Sequence, residues 1–162
     1  MKTENVLIIG ASSKAAVNLT RLLSSEEKYQ LYGISSKFKI KNPYAKIINY
    51  QDLAILQRIK FSRVIVMASL LPHQSNSLSD FIQINDKIKM TLERLCFANH
   101  NSSIIFLSSF DIYDKTTPSI DLSTPLNLTG PYSRSKFEME CFISGFALAN
   151  RMSHLIARLP IF

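Results

Sequence analysis

Short apolar runs alternate with helix-patterned segments from one end of the chain to the other, and this alternation constrains the fold more than any other feature. Residues 5–9, Asn-Val-Leu-Ile-Ile, form the first run and stop at Gly10. A run that is apolar on both faces reads as a strand buried in a parallel sheet. Residues 14–25 follow, with Ala15, Ala16, Leu19, Leu22 and Leu23 at helical spacing. Further strands are expected at 30–35, 46–49, 63–68, 103–107 and 154–158, and helices at 53–59, 80–98 and 132–150. Phe81, Ile84, Ile88, Leu92 and Leu95 mark one face of the long helix at 80–98. Residues 72–79 and 115–131 are polar and read as loops. Strands alternating with helices predict a doubly wound α/β fold, a Rossmann-like parallel sheet of about six strands between two helical layers. The 162 residues suit one domain over 1–162. In such sheets ligands sit outside the carboxyl ends of the strands, so the residues after each strand carry the functional reading.

Composition removes several classes. No apolar run reaches the length of a membrane span, and residues 1–10 lack a signal-peptide pattern, so a cytoplasmic location with no membrane partner is expected. Cys96 and Cys141 fall in helix-patterned segments without CxxC spacing and read as free buried thiols. His73, His100 and His154 share no ligand spacing, so no metal site is expected. The net charge of +7 raises the question of nucleic acid. The basic residues are scattered, with a loose group at Lys37, Lys39, Lys41 and Lys46, and no stacking platform accompanies them. A small anionic ligand is the better use of that charge.

The first turn, Gly10-Ala-Ser-Ser-Lys-Ala-Ala16, opens a helix directly after the first strand. A dinucleotide turn needs small residues so that the chain turns tightly, the backbone approaches a pyrophosphate and the helix packs on the strand. Gly10 suits the first need and Ala16 the third, while Ser13 stands at the second position. Ser12 and Ser13 offer hydroxyl donors. The same residues also suit a plain strand-to-helix turn with a serine N-cap. The second strand ends at Ser35-Ser36-Lys37, without the acidic residue that would hold a ribose 2′-hydroxyl. Lys37 leans the reading from NAD towards NADP; a solvated loop lysine is the alternative.

The fifth strand leads into Ser108-Ser109-Phe110-Asp111, and further on come Tyr132 and Lys136, four apart at the start of a helix and so on one face. A nearby ammonium is expected to lower the pKa of the tyrosine, and a serine hydroxyl to bind the substrate oxygen that gains or loses the proton. A serine at a strand end with Tyr-x-x-x-Lys on the next helix suits carbonyl/alcohol interconversion, with the hydride supplied by a nicotinamide.

With these residues the chain resembles the extended short-chain dehydrogenase/reductases, specifically the NAD(P)-dependent epimerase/dehydratase group acting on nucleotide sugars. The resemblance covers essentially the whole chain. The family's Gly-x-x-Gly-x-x-Gly is matched in position by Gly10, Ser13 and Ala16, and its adenine-contacting Asp-Leu by Asp52-Leu53. Its His-x-Ala-Ala beside the cofactor is matched by Val66-Met67-Ala68-Ser69, without the His, and its long-helix Asn by Asn85. Its Ser-Ser-x-x-Val-Tyr segment, Tyr-x-x-x-Lys with a later Glu, and strand-end Arg are matched by Ser108 to Tyr113, Tyr132, Lys136, Glu140 and Arg158. The long gap from Ser109 to Tyr132 is similar to that of the extended type.

The resemblance implies Tyr132 as general acid/base, Lys136 as the group that lowers its pKa and binds the nicotinamide ribose, and Ser109 as the group that orients the substrate. It implies an NAD(P)-dependent oxidoreductase-type enzyme, an epimerase, dehydratase or reductase with a nucleotide-sugar or other small-molecule substrate. It also implies a homodimer through the helices at 80–98 and 132–150. Dehydratases of the group carry a Glu two residues after the serine position, where Asp111 stands here. Two departures stand out: two of the three turn glycines are replaced, and the family's C-terminal substrate-binding part has no counterpart in the 162 residues. The alternative expectation is therefore a non-catalytic dinucleotide-binding or sensor module on the same fold, or an inactive truncated fragment.

Overall fold

Strand β1 (Glu4–Ile9) carries Val6 and Ile8 on one face and Leu7 and Ile9 on the other, and all four are buried. Both faces must then be covered, which places β1 at the centre of a sheet. In the computed structural model, which describes residues 3–36, 43–75, 77–97, 102–116 and 119–160, that is its position. After β1 come α1 (Lys14–Leu23), β2 (Tyr29–Ile34), β3 (Lys46–Ile48), a 3-10 turn (Leu53–Arg58), β4 (Lys60–Phe61) and β5 (Arg63–Val66). The chain continues through α2 (Leu78–Glu93), β6 (Cys96–Phe97), β7 (Ser103–Ser109), a second 3-10 turn (Phe110–Ile112), α3 (Pro131–Ala149) and β8 (Ser153–Leu159).

Six parallel strands form one sheet in the order β3-β2-β1-β5-β7-β8. The chain winds outward from β1 to β3, crosses back, and winds the other way from β5. The reversal leaves a crevice between the carboxyl ends of β1 and β5, the switch point at which doubly wound sheets take ligands. Leu7, Ile9, Val64, Val66, Ile104 and Phe106 pack against Ile88 and Leu92 of α2 and Met139, Ile143 and Ala147 of α3. On the opposite face Val6, Ile8, Leu31 and Ile65 pack with Ala16 of α1. The expected three-layer α/β/α architecture is thus the observed one.

Several boundaries differ from expectation. The helix expected to run to residue 98 stops at Glu93, with Arg94 as its cap, whose amide donates to the Thr91 and Leu92 carbonyls. Cys96 and Phe97 then pair in parallel with Lys60 and Phe61 as a separate two-stranded sheet. No Gly or Pro marks that stop, so the helical period runs on in the sequence past the end of the helix. Cys96 therefore lies in a strand, not a helix. Cys141 is helical but exposed rather than buried. The buried positions 132, 136, 139, 143 and 147 define the inner face of α3, and 141 falls outside it. The helix expected at 53–59 is a 3-10 turn. β5 leaves the ladder after Val66, and β7 runs two residues longer than expected, to Ser109, paired with Leu159. Among the described residues no helix is long and apolar enough to cross a membrane.

Candidate functional site

At the end of β1 the backbone turns at Gly10, whose φ of 93° lies in the left-handed region. A Cβ there would stand 2.5 Å from the amide nitrogen of Ala68 and 2.7 Å from its Cα. Gly10 is thus required both by its conformation and by the approach of the β5 terminus. The amides of Gly10 and Ala11 both donate to the Ile34 carbonyl, each at 3.0 Å, which anchors the turn to the end of β2. Ser13 is the N-cap of α1, and its Oγ accepts from the Ala16 amide at 3.1 Å. A hydroxyl that accepts one bond keeps its hydrogen for donation. Ser12 is exposed beside it, and Ala16 is buried against Val6 and Ile8. No acidic side chain stands in the first turn of α1, so its amides face no competing carboxylate there.

Ser35, Asp52, Leu53, Ala68 and Ser69 follow the ends of β2, β3 and β5 at the same edge of the sheet. Ser35, just past β2, is buried, and its amide donates to the Ile48 carbonyl at 3.2 Å. Asp52 is exposed at the start of the first 3-10 turn, with Leu53 buried beneath it. Ala68 and Ser69, half-buried after β5, lie next to Gly10, and the Ser69 hydroxyl donates to the Leu70 carbonyl at 2.8 Å. Lys37 lies outside the described residues. The buried amide of Asn85 donates to the Ser135 carbonyl at 3.0 Å, so its Nδ2 ties α2 to α3.

Ser109, Tyr132 and Lys136 come together where β7 meets the start of α3. Gly130 and Pro131 begin that helix, with proline in its first turn, where its missing N–H costs nothing. Tyr132 and Lys136 follow on its inner face, Lys136 only 6% exposed. The Lys136 Nζ donates to the Leu107 carbonyl at 2.9 Å and lies 5.0 Å from the centre of the Phe106 ring and 5.8 Å from that of Tyr132. Ser109 is fully enclosed, and its Oγ accepts from the Asp111 amide at 3.1 Å. Burial pushes the Lys136 ammonium down to about 8, with the Glu140 carboxylate working in the opposite direction. Burial also raises the Tyr132 phenol above its ordinary value; a hydrogen bond with the Ser109 side chain opposes this and Asp111 adds to it. The spacing of Tyr132 and Lys136 predicts that the ammonium lowers the tyrosine. In this structure burial sets the direction and the phenol is raised instead.

Three features of this corner do not follow from sequence spacing. The buried Glu140 carboxylate accepts from Nε and Nη2 of Arg158 at 3.0 and 2.7 Å, and Nη1 of the same guanidinium donates to the Tyr113 hydroxyl. This fork keeps Arg158 charged well past the usual range. The Ser108 Oγ is buried with no hydrogen-bond partner among the described residues. Such a hydroxyl costs free energy unless another group meets it, and it lies one residue from Ser109. A cleft of about 420 Å³ is lined by Phe110, Tyr113, Ile120, Asp121, Leu122, Ile156 and Arg158. It borders the Arg158 fork, and none of Ser109, Tyr132 and Lys136 lines it. Its lining mixes apolar side chains with Asp121, Tyr113 and Arg158.

The residues present fit a dinucleotide at two of three turn positions, Gly10 and Ala16, and Ser108 offers an unmet hydroxyl close to the trio. Among the described residues no group of three or more His, Cys, Asp or Glu gathers as a metal would require.

The family model described as NAD dependent epimerase/dehydratase matches residues 6–161. No curated protein matches the chain. Among solved structures it is similar to the UDP-glucuronic acid 4-epimerase of Bacillus cereus in complex with NAD, at 15% identity and a TM-score of 0.78, over 96% of this chain and 55% of that one. The UDP-Glc/GlcNAc 4-epimerase of Campylobacter jejuni matches at 17% identity and a TM-score of 0.77, over 96% and 53%. The UDP-glucose 4-epimerase of Thermotoga maritima, solved with UDP-glucose, matches at 15% and 0.74, over 95% and 54%. The chain spans about half the length of these structures.

Proposed function

The chain belongs to the NAD dependent epimerase/dehydratase family, and on that footing we propose that it takes part in NAD(P)-dependent proton and hydride transfer on a nucleotide sugar. The observation that carries this reading is the burial of Ser109, Tyr132 and Lys136 together at the carboxyl end of the sheet. Gly10, Ser12 and Ser13 would hold the pyrophosphate, with Ser35, Lys37, Asp52 and Leu53 towards the adenosine end. Ala68, Ser69 and Asn85 would flank the nicotinamide end, where Lys136 would hold the ribose. A bound nicotinamide would supply the hydride that no side chain can. The chain's own part is the proton. Tyr132, held protonated, donates from its hydroxyl to a substrate carbonyl oxygen and takes the proton back in the reverse direction. Ser109 hydrogen-bonds the same oxygen and fixes its distance from Tyr132. The Lys136 ammonium favours the phenolate that forms when the proton leaves.

A second reading, a module that binds dinucleotide without turnover, draws on the capping role of Ser13 and on the raised Tyr132. The lean to NADP rests on the want of an acidic residue after β2. A homodimer through α2 and α3, in keeping with the exposed Ile82 and Met90 of α2, and a cytoplasmic location complete the reading. Titration of the purified chain with NADH and NADPH, followed by nicotinamide fluorescence, tests it. Saturable enhancement with either is expected, tighter with NADPH. No binding of either up to millimolar cofactor would remove the proposal.

A further inference from the structure

We propose that Glu140 is a positioning residue for the Tyr132–Lys136 pair: gripped from β8 by two arms of Arg158, its buried carboxylate lies one helical turn past Lys136 and holds that ammonium charged and in place. Lys136 and Glu140 are four apart on α3, and both are nine-tenths buried or more. Side chains at that spacing share a helix face. A carboxylate this deep needs a fixed cationic partner, and Arg158 supplies one in bidentate form. Arg158 itself keeps 23% of its side chain in solvent, so water can serve it. Lys136 has no such recourse: its Nζ is enclosed and donates to the Leu107 carbonyl. With no water to screen it, the enclosed ammonium feels the nearby Glu140 charge directly.

The third arm of the guanidinium extends the effect. By donating to the Tyr113 hydroxyl, Arg158 ties β8 to the segment that follows Ser109. The guanidinium thus ties β8 both to α3, which carries Tyr132 and Lys136, and to the segment that follows Ser109.

The groups facing Lys136 can be named element by element. On α3 they are Tyr132 and Glu140, and on β7 the Leu107 carbonyl and the Phe106 ring. After β7 stands Asp111, which acts on Tyr132 and is itself paired with Lys115. β8 brings Arg158, and α2 brings the uncharged Asn85, bonded to the Ser135 carbonyl. Glu140 and Asp111 are the carboxylates in this set, and Glu140 is the one whose charge acts on Lys136.

The functional meaning of this inference rests on the acid/base reading of Tyr132 and Lys136 given above, but its test needs neither cofactor nor substrate. The side-chain Cε resonance of Lys136 is followed against pH by NMR in the full chain. Glu140→Gln leaves Arg158 uncompensated and is expected to lower the Lys136 midpoint by about one unit. Arg158→Gln frees the Glu140 charge for Lys136 and is expected to raise it. Glu140→Asp restores the carboxylate and should return the midpoint towards that of the parent chain. A purely structural ion pair would lower the melting temperature and leave the midpoints where they are, or move both variants the same way, and either result overturns the proposal. If a variant does not fold, the parent chain carries the test, because the Glu140 Cδ resonance should then show an inflection at the Lys136 midpoint. Its absence overturns the proposal equally. Midpoints that move as stated in a chain that binds no dinucleotide would remove the proposed function and leave this inference standing.

Discussion

At the end of β1, Gly10 keeps the turn tight, while Ser13 stands where a glycine would let a pyrophosphate approach, its Oγ accepting from the Ala16 amide. At the junction of β7 and α3, Ser109, Tyr132 and Lys136 are all present and buried together. The first corner works mainly through backbone geometry, which a capping serine can preserve while the glycine pattern fades. The second works through side-chain identity, and it carries a burden. A lysine that is 6% exposed and held by a neutral carbonyl acceptor is a poor choice for stability. Buried ionisable groups of that kind, their pKa displaced by desolvation, mark functional sites more often than structural ones. Loss of glycines thus weakens a motif without weakening the corner that would do the chemistry.

Substitutions at either corner put this contrast at risk. Tyr132→Phe, the largest effect, is expected to lower turnover by about 10²–10⁴-fold. NADH affinity should stay within about threefold, as steady-state kinetics and fluorescence titration would read. Gly10→Ala forces a Cβ to 2.5 Å from the Ala68 nitrogen at positive φ and is expected to cost about 3 kcal/mol of stability, measured by urea unfolding. It should also abolish dinucleotide binding in whatever fraction still folds.

Lys136→Met is expected to act in the opposite direction. The fall of the lysine from 10.5 to about 8 corresponds to roughly 3 kcal/mol, and loss of the Leu107 bond takes back about 1, leaving a gain of about 2 kcal/mol at pH 7. Its sign against pH is fixed. The folded value lies below the unfolded one, so the unfolded chain binds more protons between them, and the parent chain gains stability as pH rises from about 8 towards 10.5. Tyr132, raised above 10.0, works the other way only at higher pH. The advantage of Lys136→Met should therefore shrink between pH 8 and 10, as urea midpoints would show. The smallest effect belongs to the glycine-poor turn: Ser13→Gly exchanges one good N-cap for another at a cost of a few tenths of a kcal/mol. It is expected to tighten NADH binding by about 1 kcal/mol, roughly fivefold.

The main sheet was legible because its strands are apolar on both faces, as β1 and the Val64–Val66 run illustrate. Ser109, Tyr132 and Lys136 were legible because strand order brings a strand end and the next helix start to one edge. The β4–β6 pair was not, because two-residue strands carry no period and the apolar spacing of α2 continues into Leu95 and Phe97. Glu140, Arg158 and Tyr113 were matched by resemblance, but residues 18 and 45 positions apart give no spacing from which their fork follows. The direction of the Tyr132 shift was missed for a related reason. The sequence shows the lysine four residues on, and only the fold shows how deeply both are enclosed.

Amide chemical-shift mapping on addition of NAD asks whether the two corners form one dinucleotide site. If they do, Gly10 to Ala16 and Ser109, Tyr132 and Lys136 shift together along a single saturation curve with one Kd. Shifts confined to one corner, two separate curves, or no shift up to millimolar NAD would contradict a shared site.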